Sequence, residues 1–243
     1  MKRIFLLFIF ILSVAIAKAQ GDYNFMPQGV GFDASTIRGF TNVAKQNNTL
    51  SASIFYTYYP SPYFPVTFEI QKGRLWGGSR VTDEYGREYV NNYLAFLLHA
   101  DLQLGQVVDY DDNGFMNVLK NGYLGIGGGF VHDNVMNQRT NLRPTGYAIG
   151  AYIFPGTDNS TDPDVNFRIG YEFKLYNDYD EPSFRLHIEY VHHVVFGEGL
   201  DGYDDPISKF HNNSPDQYRQ ITIGVVHNFG TIRAFTKRIR DDF

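Results

Sequence analysis

The 243 residues predict an all-β chain closed as an eight-stranded antiparallel transmembrane β-barrel. Three observations predict it. The chain is 16% aromatic, with 18 Tyr and 21 Phe. Apolar and polar residues alternate with a period of two in stretch after stretch. Beyond the N-terminal segment, no apolar run approaches the ~20 residues of a membrane helix. Aromatic and β-branched residues suit a pleated surface. A period of two gives a strand two unlike faces. A bilayer is spanned either by apolar helices or by a closed barrel.

The N-terminal segment reads as an address. Lys2 and Arg3 precede the unbroken apolar run "IFLLFIFILSVAIA" from Ile4 to Ala17, and Ala17-Lys18-Ala19 fits a small-x-small cleavage site. Residues 1–19 are thus expected to be a secretory signal peptide, with Gln20 as the new N-terminus. Removing Lys2, Arg3 and Lys18 from the 21 bases leaves 18 against 26 acids, a net charge of −8. So acidic a chain argues against nucleic acid as a partner. The absence of cysteine excludes a disulfide scaffold and a lipidated N-terminal cysteine.

The strands follow in order, with candidates near 29–38, 49–59, 65–76, 92–104, 121–132, 165–177, 183–196 and 217–229. In "TLSASIFYTYY", Leu50, Ala52, Ile54, Tyr56 and Tyr58 share a face. Val66, Phe68 and Ile70 alternate with Thr67, Glu69 and Gln71. Leu94, Phe96, Leu98, Ala100 and Leu102 oppose Tyr93, His99, Asp101 and Gln103. In "VNFRIGYEFKLY", Val165, Phe167, Ile169, Tyr171, Phe173 and Leu175 oppose Asn166, Arg168, Glu172 and Lys174. Phe184, Leu186, Ile188 and Tyr190 oppose Arg185, His187 and Glu189, and Ile221, Ile223 and Val225 complete the set. The stretch "TGYAIGAYIF" at 145–154 is assigned to a long loop, because an odd count would leave the barrel unable to close antiparallel.

The glycine-rich "GYLGIGGGF", Gly122 to Phe130, resembles a phosphate loop at first sight. Such a loop needs a helix after it, whose N-terminus meets the anion. The chain that follows is polar and reaches Pro144. Gly125, Gly127 and Gly129 fall at period two on a strand's polar side, where they leave room for larger neighbours.

Connections suggest a topology. "PSPYF" and "NDYDEP" are short, as periplasmic turns are, while three other connections are longer, as external loops are. One long connection, "GQVVDYDDNGFMNVLKNG", falls on the periplasmic side. The barrel is expected over 20–229, with a short periplasmic tail at 230–243. Alternation alone does not separate a membrane barrel from a soluble sandwich. The polar face favours the barrel. Glu69, Asp101, Glu172 and Glu189 nearly balance Arg168, Lys174 and Arg185, with His99 and His187 between, as a closed lumen requires. Cross-strand ion pairs and no open channel are the expectation, since eight strands leave an interior filled by side chains.

The stretches "GFDASTIRGF", "SASIFYTYYPSP", "NGYLGIGGGFVHDN", "NFRIGYEFKL", "FRLHIEYVHHVVFGEGLDGY" and "QITIGVVHNFG" resemble the small OmpA/OmpX-like outer-membrane barrels of Bacteroidota. Within them the chain is similar to the PorG-type group of the type IX secretion system. "STIRGF" departs from that group, whose members more often carry Gly-Asp after the aromatic. The resemblance implies a structural or accessory subunit of a secretion or barrel-assembly machine, without catalysis or cofactor. Its expected partners are outer-membrane lipids, lipopolysaccharide and another envelope protein. A free-standing envelope-stabilising or adhesive barrel is the alternative.

Other chemistries leave weaker marks. "YVHHVVFGEG" offers His192, His193 and Glu198 to a lipid-modifying enzyme, but places neither Ser183 nor Ser208 beside them. "DYDDNG", Asp109 to Gly114, matches the first half of a calcium loop, yet Lys120 stands where a glutamate is required. An acidic turn is the simpler reading. In the tail, Arg233, Lys237, Arg238 and Arg240 are either a frayed end or a basic handle for a partner.

Overall fold

The computed structural model describes residues 22–43, 45–83, 85–108, 110, 114–137, 155–204 and 215–236. The expected signal peptide at 1–19 and the 145–154 stretch lie outside the described residues, as does most of the half calcium loop.

Eight strands close into one antiparallel barrel: β2 (Gln28–Phe40), β3 (Thr49–Ser61), β4 (Phe64–Gly78), β5 (Glu88–Gln103), β6 (Gly122–Asn137), β7 (Asn159–Tyr176), β8 (Pro182–Val195) and β9 (Gln217–Phe229). They are the eight strands the alternation marked. Two short strands, β1 (Asp22–Phe25) and β10 (Arg233–Thr236), pair with each other outside the barrel. The connection between β5 and β6 contains a 3-10 turn (Leu104–Gln106) and a helix, α1 (Gly114–Leu119). Six residues are too few for a helical period to show in the sequence.

The stagger can be followed residue by residue. Arg38 pairs with Arg219, and Arg219 with His192. The row then passes through Phe167, Ile126, Ala100, Val66 and Tyr58, and returns to β2 at Gln28. One circuit therefore shifts the register from residue 38 to residue 28, a shear of ten. With eight strands and ordinary strand spacings, that shear tilts the strands by about 40°.

The barrel is inverted across its middle and upright above it. In the middle, Phe32, Ile54, Phe68, Leu98, Ile126, Phe167, Ile188 and Ile223 are exposed on the outer wall. Their sequence neighbours Asp33, Ser53, Glu69, His99, Arg168, Glu189 and Thr222 are buried inside. An apolar belt outside a polar interior is what a membrane barrel presents to lipid. Toward the loop end the pattern reverses. Ile37, Leu75, Val131, Val135, Val191 and Val195 turn inward and are buried, while Arg38, Arg74, His132, Asn134 and His192 turn outward. There the strands leave lipid, and the wall becomes that of a water-soluble protein. This reversal corrects two strand ends. "DNVMN" and "NSTDPD", polar enough to read as loop, belong to β6 and β7.

Both mouths are filled. At the loop end, the chain after β8 folds inward and buries Leu200 and Tyr203 among Val43, Leu75, Tyr89 and Val195. Asn91 Nδ2 donates to Leu200 O at 3.0 Å, and Tyr203 Oη donates to Glu88 O at 3.0 Å. At the terminus end, the Tyr63 ring meets Tyr110 and Phe235 edge-on, and Tyr63 Oη donates to Tyr110 Oη at 2.8 Å. Phe235 comes from β10, so the small outer sheet covers this mouth.

Candidate functional site

The lumen holds the densest chemistry of the molecule. Arg168 on β7 is its centre: Nη2 donates to Glu69 Oε2 at 2.7 Å, Nη1 to Glu189 Oε1 at 3.1 Å, and Nε to Asn166 Oδ1 at 3.2 Å. Tyr123 Oη donates to the other oxygen of Glu189 at 3.1 Å. His99 sits between Asp101 Oδ2 at 3.0 Å and Glu69 Oε2 at 3.8 Å. Toward the terminus end, Glu172 Oε1 accepts from Arg185 Nη1 at 2.9 Å and Gln103 Nε2 at 3.1 Å, with Lys174 Nζ at 3.9 Å. Arg185 lies 4.0 Å from the centre of the Tyr59 ring, and Lys174 4.3 Å from that of Tyr63. His187 Nε2 approaches Asp33 Oδ1 at 3.0 Å, and Ser53 Oγ donates to Asp33 Oδ2 at 3.3 Å.

The structure thus brings Glu69, His99, Asp101, Arg168, Glu172, Lys174, Arg185, His187 and Glu189 into one lumen. Gln103 and Asn166, which the alternation places on the same polar faces, complete the network with Tyr123 and with Asp33, which the sequence reading left out. Asp33 was legible: in "GFDAS" it falls one residue after Phe32, so the same alternation turns it inward. Glycines on β6 make the room. A Cβ at Gly127 would stand 2.6 Å from His99 Cβ and 2.7 Å from Asn166 Oδ1. At Gly125 it would run into the Asp101 carboxylate.

A cavity of about 40 Å³ remains among Asp33, His99, Asp101, Arg168, His187 and Glu189. It has room for a few waters. Five carboxylates (Asp33, Glu69, Asp101, Glu172, Glu189) face three basic side chains (Arg168, Lys174, Arg185) and two imidazoles (His99, His187). Asp33, His187 and Glu189 could also ligate a cation, since their nearest ligand atoms lie within 4.8 Å of one another. Each already has a protein partner, so a metal would first have to displace the Asp33–His187 pair.

The adjacent histidines part company. His193 is fully buried, stacks on Tyr218 at 4.0 Å and meets Asp164 Oδ2 at 3.0 Å. His192 points outward, with Nε2 3.0 Å from Gln217 Oε1. Ser183 Oγ donates to Leu175 O, and Ser208 lies outside the described residues. Among the described residues, the clearest His–hydroxyl pair is His132 Nδ1 with Thr161 Oγ1 at 2.8 Å, and no hydrogen-bonded carboxylate orients that imidazole. In the tail, Arg233 Nη1 donates to Tyr58 Oη at 3.1 Å; Lys237, Arg238 and Arg240 lie outside the described residues.

The fold is that of a transmembrane β-barrel. No protein-family model matches the chain, and neither does any curated protein. Similar solved structures include Neisserial surface protein A (9% identity, TM-score 0.45, covering 86% of this chain and 100% of that one). Ail of Yersinia pestis, in complex with the heparin analogue sucrose octasulfate, is 11% identical with a TM-score of 0.45, covering 87% of this chain and 100% of that one. The outer membrane enzyme PagL is 8% identical with a TM-score of 0.35, covering 79% of this chain and 97% of that one.

Proposed function

We propose that this barrel sits in a bacterial outer membrane, after removal of its signal peptide, as a non-catalytic accessory subunit of a larger envelope complex. The observation that carries this reading is the platform at the terminus end. Spanning a membrane needs only short turns there. This chain instead places the β1–β10 sheet, the 3-10 turn and α1 at that mouth, with Val107, Phe115 and Ile232 exposed. In the expected topology these residues face the periplasm. The basic residue Arg233 lies on the same side and offers charge to an acidic partner. The resemblance to the PorG-type group supports a secretion machine as the assembly. The luminal network supports a structural interior, because its cations and carboxylates are paired with one another.

The test is co-purification after mild detergent extraction. Full-length chain is expected to bring another envelope protein with it. A chain lacking residues 231–243 is expected to insert normally and to lose much of that yield. Undiminished recovery of every partner by the truncated chain would remove the docking role of this end. Recovery of the full chain alone would favour a free-standing, envelope-stabilising barrel.

A further inference from the structure

His187 and Glu189 stand two residues apart on β8, so both face the lumen. Asp33 on β2 joins them across β9. It pairs with Gly224, and Gly224 pairs with His187. Gly224 has no side chain, so the Asp33 carboxylate and the His187 imidazole meet over it. A Cβ there would run into both. One imidazole nitrogen and two carboxylate oxygens thus gather within 4.8 Å of one another. Metal bonds of about 2.0–2.2 Å put ligand atoms about 3.5 Å apart, so these three close on an ion by side-chain shifts of about 1 Å or less.

Two observations favour an ion over a simple ion pair. The first is the Asp33–His187 contact itself. Asp33 Oδ1 and His187 Nε2 are 3.0 Å apart, yet the approach is too oblique for a hydrogen bond, and Oδ1 has no hydrogen-bond partner among the described residues. Asp33 is only 4% exposed. A buried carboxylate oxygen without a donor is unfavourable. Two ligand atoms converging on one ion approach each other side-on in this way, and coordination satisfies both. The second observation is charge. The five luminal carboxylates exceed the three basic side chains by two. One divalent ion equals that excess.

The surroundings suit an ion. The cavity of about 40 Å³ lies against all three residues and gives room for bound water. Asp101 Oδ1 lines the same cavity, has no hydrogen-bond partner among the described residues, and offers an acceptor to such a water. Ser53 Oγ donates to the other Asp33 oxygen at 3.3 Å. Tyr123 Oη and Arg168 Nη1 each donate to one oxygen of Glu189, which leaves lone pairs on both. Outer contacts of this kind hold ligating carboxylates in place. A nitrogen donor with two carboxylates selects a first-row ion, zinc foremost, over magnesium or calcium, which take oxygen.

We propose that Asp33, His187 and Glu189 bind one zinc ion in the lumen, and that the ion staples the seam of the barrel. β2 is the first barrel strand and β9 the last, and their pairing closes the circuit. An ion held by β2 and β8 spans β9 and locks that closure. The site needs only the closed barrel and no partner at either mouth.

Both mouths are plugged, so the ion is supplied during folding. The full chain is unfolded with a chelator, refolded in neutral detergent with zinc or magnesium, and freed of loose metal by gel filtration. Elemental analysis then counts the ion in the heat-modifiable fraction. Expected is about one zinc per chain, with magnesium near background. The folded band should survive to a higher temperature in the zinc-loaded barrel. Asp33→Asn and His187→Gln should each bring zinc to background. His99→Gln, in the same lumen but outside the triad, should keep it. For a variant that does not fold, X-ray absorption at the zinc edge of the wild-type barrel replaces it: one imidazole with oxygen ligands is expected. Zinc below about a tenth of an ion per chain overturns the site, as do equal retention of magnesium, zinc undiminished in Asp33→Asn or His187→Gln, zinc lost with His99→Gln, or two imidazoles on the ion. A loaded band no more heat-resistant than the metal-free one overturns the staple.

Discussion

Arg168 and Glu69 meet across the lumen at 2.7 Å, although β4 and β7 are three strands apart and the two residues are 99 positions apart in sequence. The contact braces opposite walls of the barrel. Removing one partner leaves the other charged and buried. Arg168→Ala is therefore expected to cost about 3–5 kcal/mol, read as a lower temperature at which the folded band disappears in unheated gels. Adding Glu69→Gln to it should recover only part, because Glu189 loses the same guanidinium.

The β6 glycines are expected to be size-limited on the inward face. Gly127→Leu drives a side chain into His99 and Asn166 and should cost about 1–3 kcal/mol by overpacking. Gly128→Ala, on the outward face, meets only the Asp164 carbonyl oxygen, at 3.2 Å, and should be milder. Refolding yield of the two variants in detergent, measured side by side, checks the contrast.

Acid stabilises the plug at the loop end. Asp216, just before β9 and above the membrane belt, has its carboxyl held well above the usual range, first by burial and then by the Asp201 and Glu198 charges. A carboxyl whose folded pKa is raised binds its proton more tightly when folded. Its contribution is thus fullest below about pH 4 and declines as pH rises toward the folded value. Asp216→Asn can still accept from the Leu200 N–H, which Asp216 Oδ2 does at 3.1 Å. The variant should be more resistant to protease within the loop than wild type at pH 8, with the difference shrinking toward pH 4. A constant difference at all pH values would count against this account.

A filled interior predicts silence in planar bilayers. Tyr63, Tyr110 and Phe235 close one mouth and Leu200 and Tyr203 the other, with the charge network between. No stable porin-sized conductance is expected from wild type. A steady open channel would show that the plugs do not hold.

The local pattern told inside from outside. Phe167 beside Arg168, or Ile188 beside Glu189, assigns two faces with no knowledge of any partner, because successive side chains in a strand point in opposite directions. From that alone came eight strands, a polar lumen and the reading of the β6 glycines. Where the surroundings changed from lipid to water, the same rule misled. His132 and Asn134 are outward, and Val131 and Val135 inward, so β6 continues past the point where its apolar outer face ends.

The partner of each charge was decided only by closure of the barrel. Period two is a property of a few neighbouring residues, whereas register is a property of the whole circuit. Closure with a ten-residue shear brings Arg168 to Glu69, Arg38 to Arg219, and the segments flanking the barrel together as β1 and β10. Shifting one strand by two residues would keep every side chain on its face and exchange every partner. The sequence by itself therefore determined which residues of a strand share a face. The tertiary structure alone decided which of them meet.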